Sequence, residues 1–462
     1  MLLDKVDVNL TAESARAIGP PELAGQFLGS LTVEANVIRT GGDAVDEIKQ
    51  EELNMEDTLN DVQLLSLGSL SYLGRTGVYP TGTVALGMQT TSCNAGTNWI
   101  PWRAAMFEEH PVIAFNIYRL ANDRFEMIST SWLKHGWLAT NSTSSGCAPC
   151  TPSGTGSQLG VGCSDTYGVG HNSDRDDLGP RNEIDAFAGT WRCLGSYFAG
   201  FQNDCVDRTN GSGFNDIEHR LQVQDIDLAT TGAQYFYEAY YVTRGDENKY
   251  NNLGSRRCTP TRSGNTWSFG SQTDHVTGPT IYRYGDMQAI ATPRTDGDAI
   301  VASRLTDLGG GMYRYNYSVY CHDITRAIRE FSVPVPESAT VQNLYFHDTD
   351  ANSGNEWTGV RTGGKVTWFT DTFATNPNAN ALTWGYMYTF SFDCNLLPRD
   401  GQASLGLFKP GTNDCLTVNA RTPVSAFFPT SYSIEKGEAF SGMLCDLFYA
   451  DSSRLQVFSD AN

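Results

Sequence analysis

Histidines, cysteines and acidic residues crowd one stretch of this 462-residue chain, His110 to Asp185, which holds three of its seven histidines and three of its 11 cysteines. Imidazole suits copper, zinc or iron, and three converging histidines leave a coordination position open for a substrate. His110, His135 and His219 form the candidate transition-metal set, with His171 as a further ligand. Trp132 and Trp137 bracket Lys134 and His135, a pair that burial would turn into an acid/base site by lowering the lysine pKa. Ser131, Ser164 and Ser212 lack a G-x-S-x-G context, and no phosphate-binding or dinucleotide fingerprint occurs.

Two acidic stretches have the ligand chemistry of a hard cation. In HDTDANSGNE, Asp348, Asp350, Asn352 and Glu356 place oxygens at alternate positions around Gly354, as a calcium loop requires. The glycine falls one place later than in an EF-hand, and the bland reading is a polar turn between two strands. Asp174, Asp176 and Asp177 form the second candidate calcium loop, with Glu183 and Asp185 nearby. Arg175 and Arg181 lie among these acids and could neutralise them without an ion.

The cysteines read as a disulfide framework. Cys147, Cys150, Cys163, Cys193 and Cys205 are the leading candidates for bridges, and an odd total leaves one thiol over. A structural zinc site is the rival reading, but it needs two C-x-x-C pairs, or one pair with two histidines, and only Cys147-x-x-Cys150 is present.

The formal charge of −20 removes nucleic acid and anionic membrane surfaces from the partners, because no basic stripe can displace counterions. No apolar run reaches the roughly 18 residues of a membrane span, so no membrane insertion is expected. Met1 to Pro20 lacks the basic start and apolar core of a signal peptide, so the expectation of export rests on the cysteines. Sequons at Asn9, Asn141, Asn210 and Asn316 would permit glycosylation of an exported chain.

The elements that must position these groups are strands. Short alternating runs separated by Gly, Asn, Asp and Ser predict an all-β fold: an irregular, loop-rich antiparallel β-domain followed by an immunoglobulin-like β-sandwich, with extended N- and C-terminal segments. Residues 1–28, opening on the alternating MLLDKVDVNL, read as an extended arm, and 29–80 as a mixed extension with an acidic run. Residues 81–290 form the loop-rich β-domain. There VIAFNIYRL and RFEMISTSWL flank an ANDR hairpin turn, and IEHRLQVQDIDL and AQYFYEAYYVTR read as long strands. Seven short strands over 291–412 form the sandwich, with a GGG turn at 309–311, and 413–462 is a C-terminal extension.

The blocks TTSCN, HPVI, SWLKHG, GCSDTYG, LGPR, HRLQVQDIDL, VASRLTDLGGGMYRYNYSV, FSVPVP, FHDTD and NPNANALTWG follow one another between residues 85 and 410. Together they resemble a group of large secreted proteins of unknown function from environmental bacteria. The resemblance implies an exported protein with a C-terminal β-sandwich and no established activity. The function expected is that of a secreted structural protein at the cell surface or outside the cell. It would self-assemble into a filament or layer, its terminal arm adding a strand to a second copy, braced by disulfides and calcium. The alternative is a secreted metal-dependent oxidoreductase, its metal held by His110, His135 and His219.

Overall fold

Val112–Ala121 sends Ile113, Phe115 and Ile117 to one side and Val112, Ala114 and Tyr118 to the other, and both sets are buried. Gln234–Val242 does the same, with Tyr235, Tyr237 and Tyr241 opposite Phe236 and Tyr240. Strands apolar on both faces must lie inside a stack of layers, because successive side chains point to opposite faces of the sheet. The computed structural model shows that stack. It describes residues 59–423, apart from 105, 207–212, 271, 273, 292–295 and 351. The 1–28 arm, most of the 29–80 extension and the end of the 413–462 extension lie outside the described residues.

Among the described residues four large antiparallel sheets follow one another, beside a small two-stranded one of Ile100–Pro101 and Gln158–Leu159. In the first, Val62–Thr76 runs along one edge of Thr83–Asn94, and Leu221–Gln224 and Ser164–Tyr167 share its other edge end to end. The second is built on Thr266–Gly270, Leu253–Ser263, Gln234–Val242, Val112–Ala121, Leu133–His135 and Leu178–Gly179, in that order, with Arg124–Thr130 paired to Val112–Ala121. Between these two sheets lies an aliphatic and aromatic core that includes Leu64, Leu86, Met88, Phe115, Tyr237 and Tyr241.

The third sheet runs Met287–Ala291, Ala299–Gly309, Met312–Cys321, Tyr386–Cys394, Val341–His347. The fourth runs Thr358–Thr362, Lys365–Phe369, Ile328–Pro334, Arg399–Leu407, Cys415–Thr422. Tyr317, Phe331, Trp368, Phe390 and Phe392 fill the sandwich between them. This sandwich therefore includes Met287–Ala291 before residue 291 and Cys415–Thr422 after residue 412.

Second and third sheets meet back to back. Tyr118, Phe125, Met127 and Phe236 pack on Ile300, Ala302, Tyr320 and Met387. Polar bonds cross the same seam: Ser318 and Thr389 donate their hydroxyls to the Phe125 carbonyl at 2.9 and 2.5 Å. Glu238, wholly buried, accepts from Asn116, Tyr118 and both the amide and hydroxyl of Thr280. Arg181 donates to the carbonyls of Ser131, Phe115 and Gly385 and to the Asn116 side chain. Every buried charge there has its hydrogen bonds, which is the condition for a polar seam to hold rather than weaken a stack.

Local signals set the turns. Asn122 and Asp123 both take left-handed φ, 52° and 61°, closing the ANDR hairpin, and Gly309 to Gly311 do likewise at the next. IEHRLQVQDIDL departs from the long strand its alternation predicts: only Leu221–Gln224 pairs, and Asp225–Leu228 turns into a single helical turn. Asp225 is buried, held by Arg75 at 2.5 Å and by the Trp267 indole at 2.8 Å, and those bonds draw the chain off the ladder.

Candidate functional site

Among the described residues three disulfides pin the irregular segments to this frame: Cys93 to Cys147, Cys150 to Cys163, and Cys193 to Cys205. All five predicted cysteines are bridged. The two thiols of the C-x-x-C pair go to different partners, which overturns the zinc reading for that motif. Among the described residues Cys258, Cys321 and Cys394 are free and buried, three thiols rather than the single one that an odd count suggests. Burial pushes the Cys258 thiol up to about 12, the opposite of what a reactive cysteine needs.

His110 and His135 do come together. The pairing of Val112 with His135 sets the chain before Val112 beside the end of Leu133–His135, and His110 Nε2 lies 3.0 Å from His135 Nδ1. Trp191 stands 5.5 and 4.6 Å from the two rings, and Phe198 stands 4.6 Å from His135. Phe198 lies within the loop closed by the Cys193–Cys205 bridge and Trp191 just before it, so the bridge braces an apolar plug over the imidazoles. Gly179 completes the seal; a Cβ there would stand 2.8 Å from His135 Nε2. Burial, then the nearby Lys134 charge, drives His110 down to about 3, and burial holds His135 well below its ordinary value. His110 Nδ1, His135 Nε2 and Trp191 Nε1 lack hydrogen-bond partners.

The third predicted ligand lies elsewhere. His219, in left-handed backbone, stacks on Trp132 with ring centres 3.8 Å apart and bonds the Arg175 carbonyl through Nδ1 at 2.9 Å. His171 sits on the short helix Val169–Asn172, beside Tyr167. Lys134 is fully buried, but strand alternation turns it away from His135, toward Asp177 at 3.5 Å and the Tyr167 ring. Neighbours in sequence thus serve opposite faces of one sheet, and the Lys134–His135 acid/base pair is not assembled. Among the described residues no three of His, Cys, Asp and Glu converge as a metal cluster.

The acidic loops use their oxygens internally. Asp348 accepts from the Asp350 amide, Asp350 from the Asn352 amide, and Asn352 from the Gly354 amide, while Asn380 donates to Asp348 at 2.7 Å. Burial raises the pKa of Asp348 and of Glu356. In the other loop Asp174 caps the Asp176 amide, both residues stand in solvent, and Asp177 is drawn inward to Lys134. Arg175 turns to the Phe214 and Asn215 carbonyls, and Arg181 to the seam between the sandwiches. Asn316 is wholly buried within Met312–Cys321, which removes that sequon.

Sequence reading passed over Glu238, although a lone acid inside AQYFYEAYYV is a legible sign of a buried polar network. No protein-family model matches the chain, and no curated protein is significantly similar to it. Among the described residues no helix is long and apolar enough to cross a membrane.

Proposed function

We propose that the protein is an extracellular structural protein that self-assembles by strand addition. The observation that carries this reading is the edge strand Met287–Ala291. It pairs with Ala299–Gly309 through five regular register positions, lies close to Cys415–Thr422 of the fourth sheet, bears no charge, and leaves Ile290 49% exposed. Open edges invite another chain, and proteins commonly blunt them. The other edge strands of five or more residues among those described are blunted, Arg124–Thr130 by the Ser318 and Thr389 hydroxyls on its Phe125 carbonyl. Val62–Thr76 has its amides and carbonyls taken by Asn251, Arg256, Tyr237 and Gln272. Gln272 also closes the Phe269 carbonyl on Thr266–Gly270. Val341–His347 is broken by a bulge at Asn343, Thr358–Thr362 carries the charged Arg361, its side chain bonded to the Pro336 and Glu337 carbonyls, and Cys415–Thr422 carries the Arg421–Asp400 ion pair.

The donor we assign is the alternating N-terminal sequence within residues 1–28 of a second copy. Main-chain hydrogen bonds would supply affinity and alternate side chains specificity. The three disulfides support an oxidising, extracellular setting. Negative-stain microscopy and light scattering of the full chain test the proposal. Regular assemblies are expected from the native sequence, and single particles with an unchanged melting temperature from Ile290→Lys or from a chain lacking residues 1–28. Single particles from the native sequence at every concentration would refute it.

A further inference from the structure

Of the described lysines only Lys134 is wholly buried, and it stands in the middle of Leu133–His135. That strand pairs with Leu178–Gly179, Lys134 lying opposite Leu178. Asp177 immediately precedes the partner strand and closes the short turn Arg175–Asp177. Lys134 Nζ therefore faces Asp177 Oδ2 at 3.5 Å, and Asp177 is only 7% exposed. The buried Tyr167 ring stands beside them, its centre 5.8 Å from Nζ.

At this separation a buried ammonium and carboxylate gain little from a direct hydrogen bond, yet both have been taken out of water. A low dielectric favours passing the proton across, which leaves a neutral amine facing a neutral carboxylic acid. Those are the reactants of an amide bond. The Lys134–Leu178 pairing holds them near the spacing of a near-attack geometry. Such holding is worth an effective molarity on the order of 10⁵ M or more, and dry surroundings keep water from reversing the reaction.

We propose that Lys134 and Asp177 are joined by an intramolecular isopeptide bond that the folded chain forms on itself. The Lys134 amine attacks Asp177 Cγ and a C–N bond forms. One C–O bond of the carboxylic acid breaks, and its hydroxyl leaves with an amine proton as water. No oxidant, reductant or second substrate is consumed, and two buried charges give way to one neutral amide. The link also has a mechanical reason. The ladder between Leu133–His135 and Leu178–Gly179 is two register positions long. The Cys93–Cys147 and Cys150–Cys163 bridges reach no further than Cys163, and the Cys193–Cys205 bridge closes on its own segment. A Lys134–Asp177 bond ties the stretch between them to the second sheet, and unlike a disulfide it withstands reduction. It stands independently of the assembly proposal, since it involves no second copy.

Mass spectrometry of the full chain, purified folded and then unfolded with its disulfides reduced, tests the proposal. Native protein is expected to be lighter than its sequence by one water. A proteolytic digest should contain one branched peptide that holds both Lys134 and Asp177. Lys134→Arg and Asp177→Ala should each restore the full sequence mass. The covalent product outlasts unfolding, so the native chain decides the matter even where a variant folds poorly. A native chain at full sequence mass, or a loss of water that maps to other residues, would overturn the proposal and leave an ordinary buried ion pair.

Discussion

At His110 and His135 burial, and after it neighbouring positive charge, disfavour the imidazolium, and His322 is depressed by burial between the Tyr240 and Tyr250 rings. A base depressed in the folded state binds its proton in the unfolded chain first. Its stabilising contribution is therefore complete above pH 6.5 and is lost as pH falls toward 3. Asp246 has the reverse sign: an acid lifted to about 7 contributes stability below its unfolded value near 4 and loses it as pH rises through 7. Stability should accordingly fall toward both ends of the range from pH 3 to pH 8, an outcome read from melts across it. The His322 ring nitrogens lack well-formed hydrogen bonds, so His322→Phe is expected to leave stability at pH 7 unchanged or higher and to flatten the acid limb of the same profile. A large loss at pH 7 would show that the imidazole is bonded after all.

Among the elements, the disulfides act where strands do not. The Cys93–Cys147 bridge spans 54 residues and ties the loop after Leu133–His135 to the end of Thr83–Asn94. Closing a loop of that size removes unfolded-state entropy worth about 4 kcal/mol, whereas the 12- and 13-residue spans are worth about 3. The double change Cys93→Ala with Cys147→Ala should therefore lower denaturant stability more than removal of either short bridge, as chemical denaturation would report. The Cys193–Cys205 bridge has a different consequence, because its loop carries Phe198 onto the histidine pair and its first cysteine closely follows Trp191, which packs there too. Its removal should increase hydrogen exchange around His135 more than around the second sandwich.

For the whole molecule, the back-to-back seam joins two sandwiches that each have their own core. Arg181 and Glu238 lie on either side of Asn116 within it, and both are fully hydrogen-bonded. Arg181→Met would take a charged donor from four buried acceptors, the Ser131, Phe115 and Gly385 carbonyls and the Asn116 side chain. A loss of about 3–5 kcal/mol is expected, as for other broken buried polar networks. Calorimetry should show one unfolding transition for the native chain and two for this variant, the second sandwich melting apart from the first. Two transitions already present in the native chain would show that the seam does not couple them.

Residues close in sequence told most of what could be read without the fold. Short apolar and aromatic runs bounded by turn residues mark strands, so Val112–Ala121, Gln234–Val242 and Met312–Cys321 were legible, as were the ANDR and GGG turns that demand left-handed backbone. The bridged cysteines were legible as a class but not in their pairing, which depends on where loops land. Convergence was decided by tertiary structure alone. Packing brought His110 to His135 and left His219 stacked on Trp132, and strand parity turned Lys134 away from its neighbour. Asp246 meets the chain at Val62 across 184 positions. No local pattern encodes such a meeting, because it is the stacking of sheets, driven by burial of their two-faced strands, that determines which distant side chains share a site.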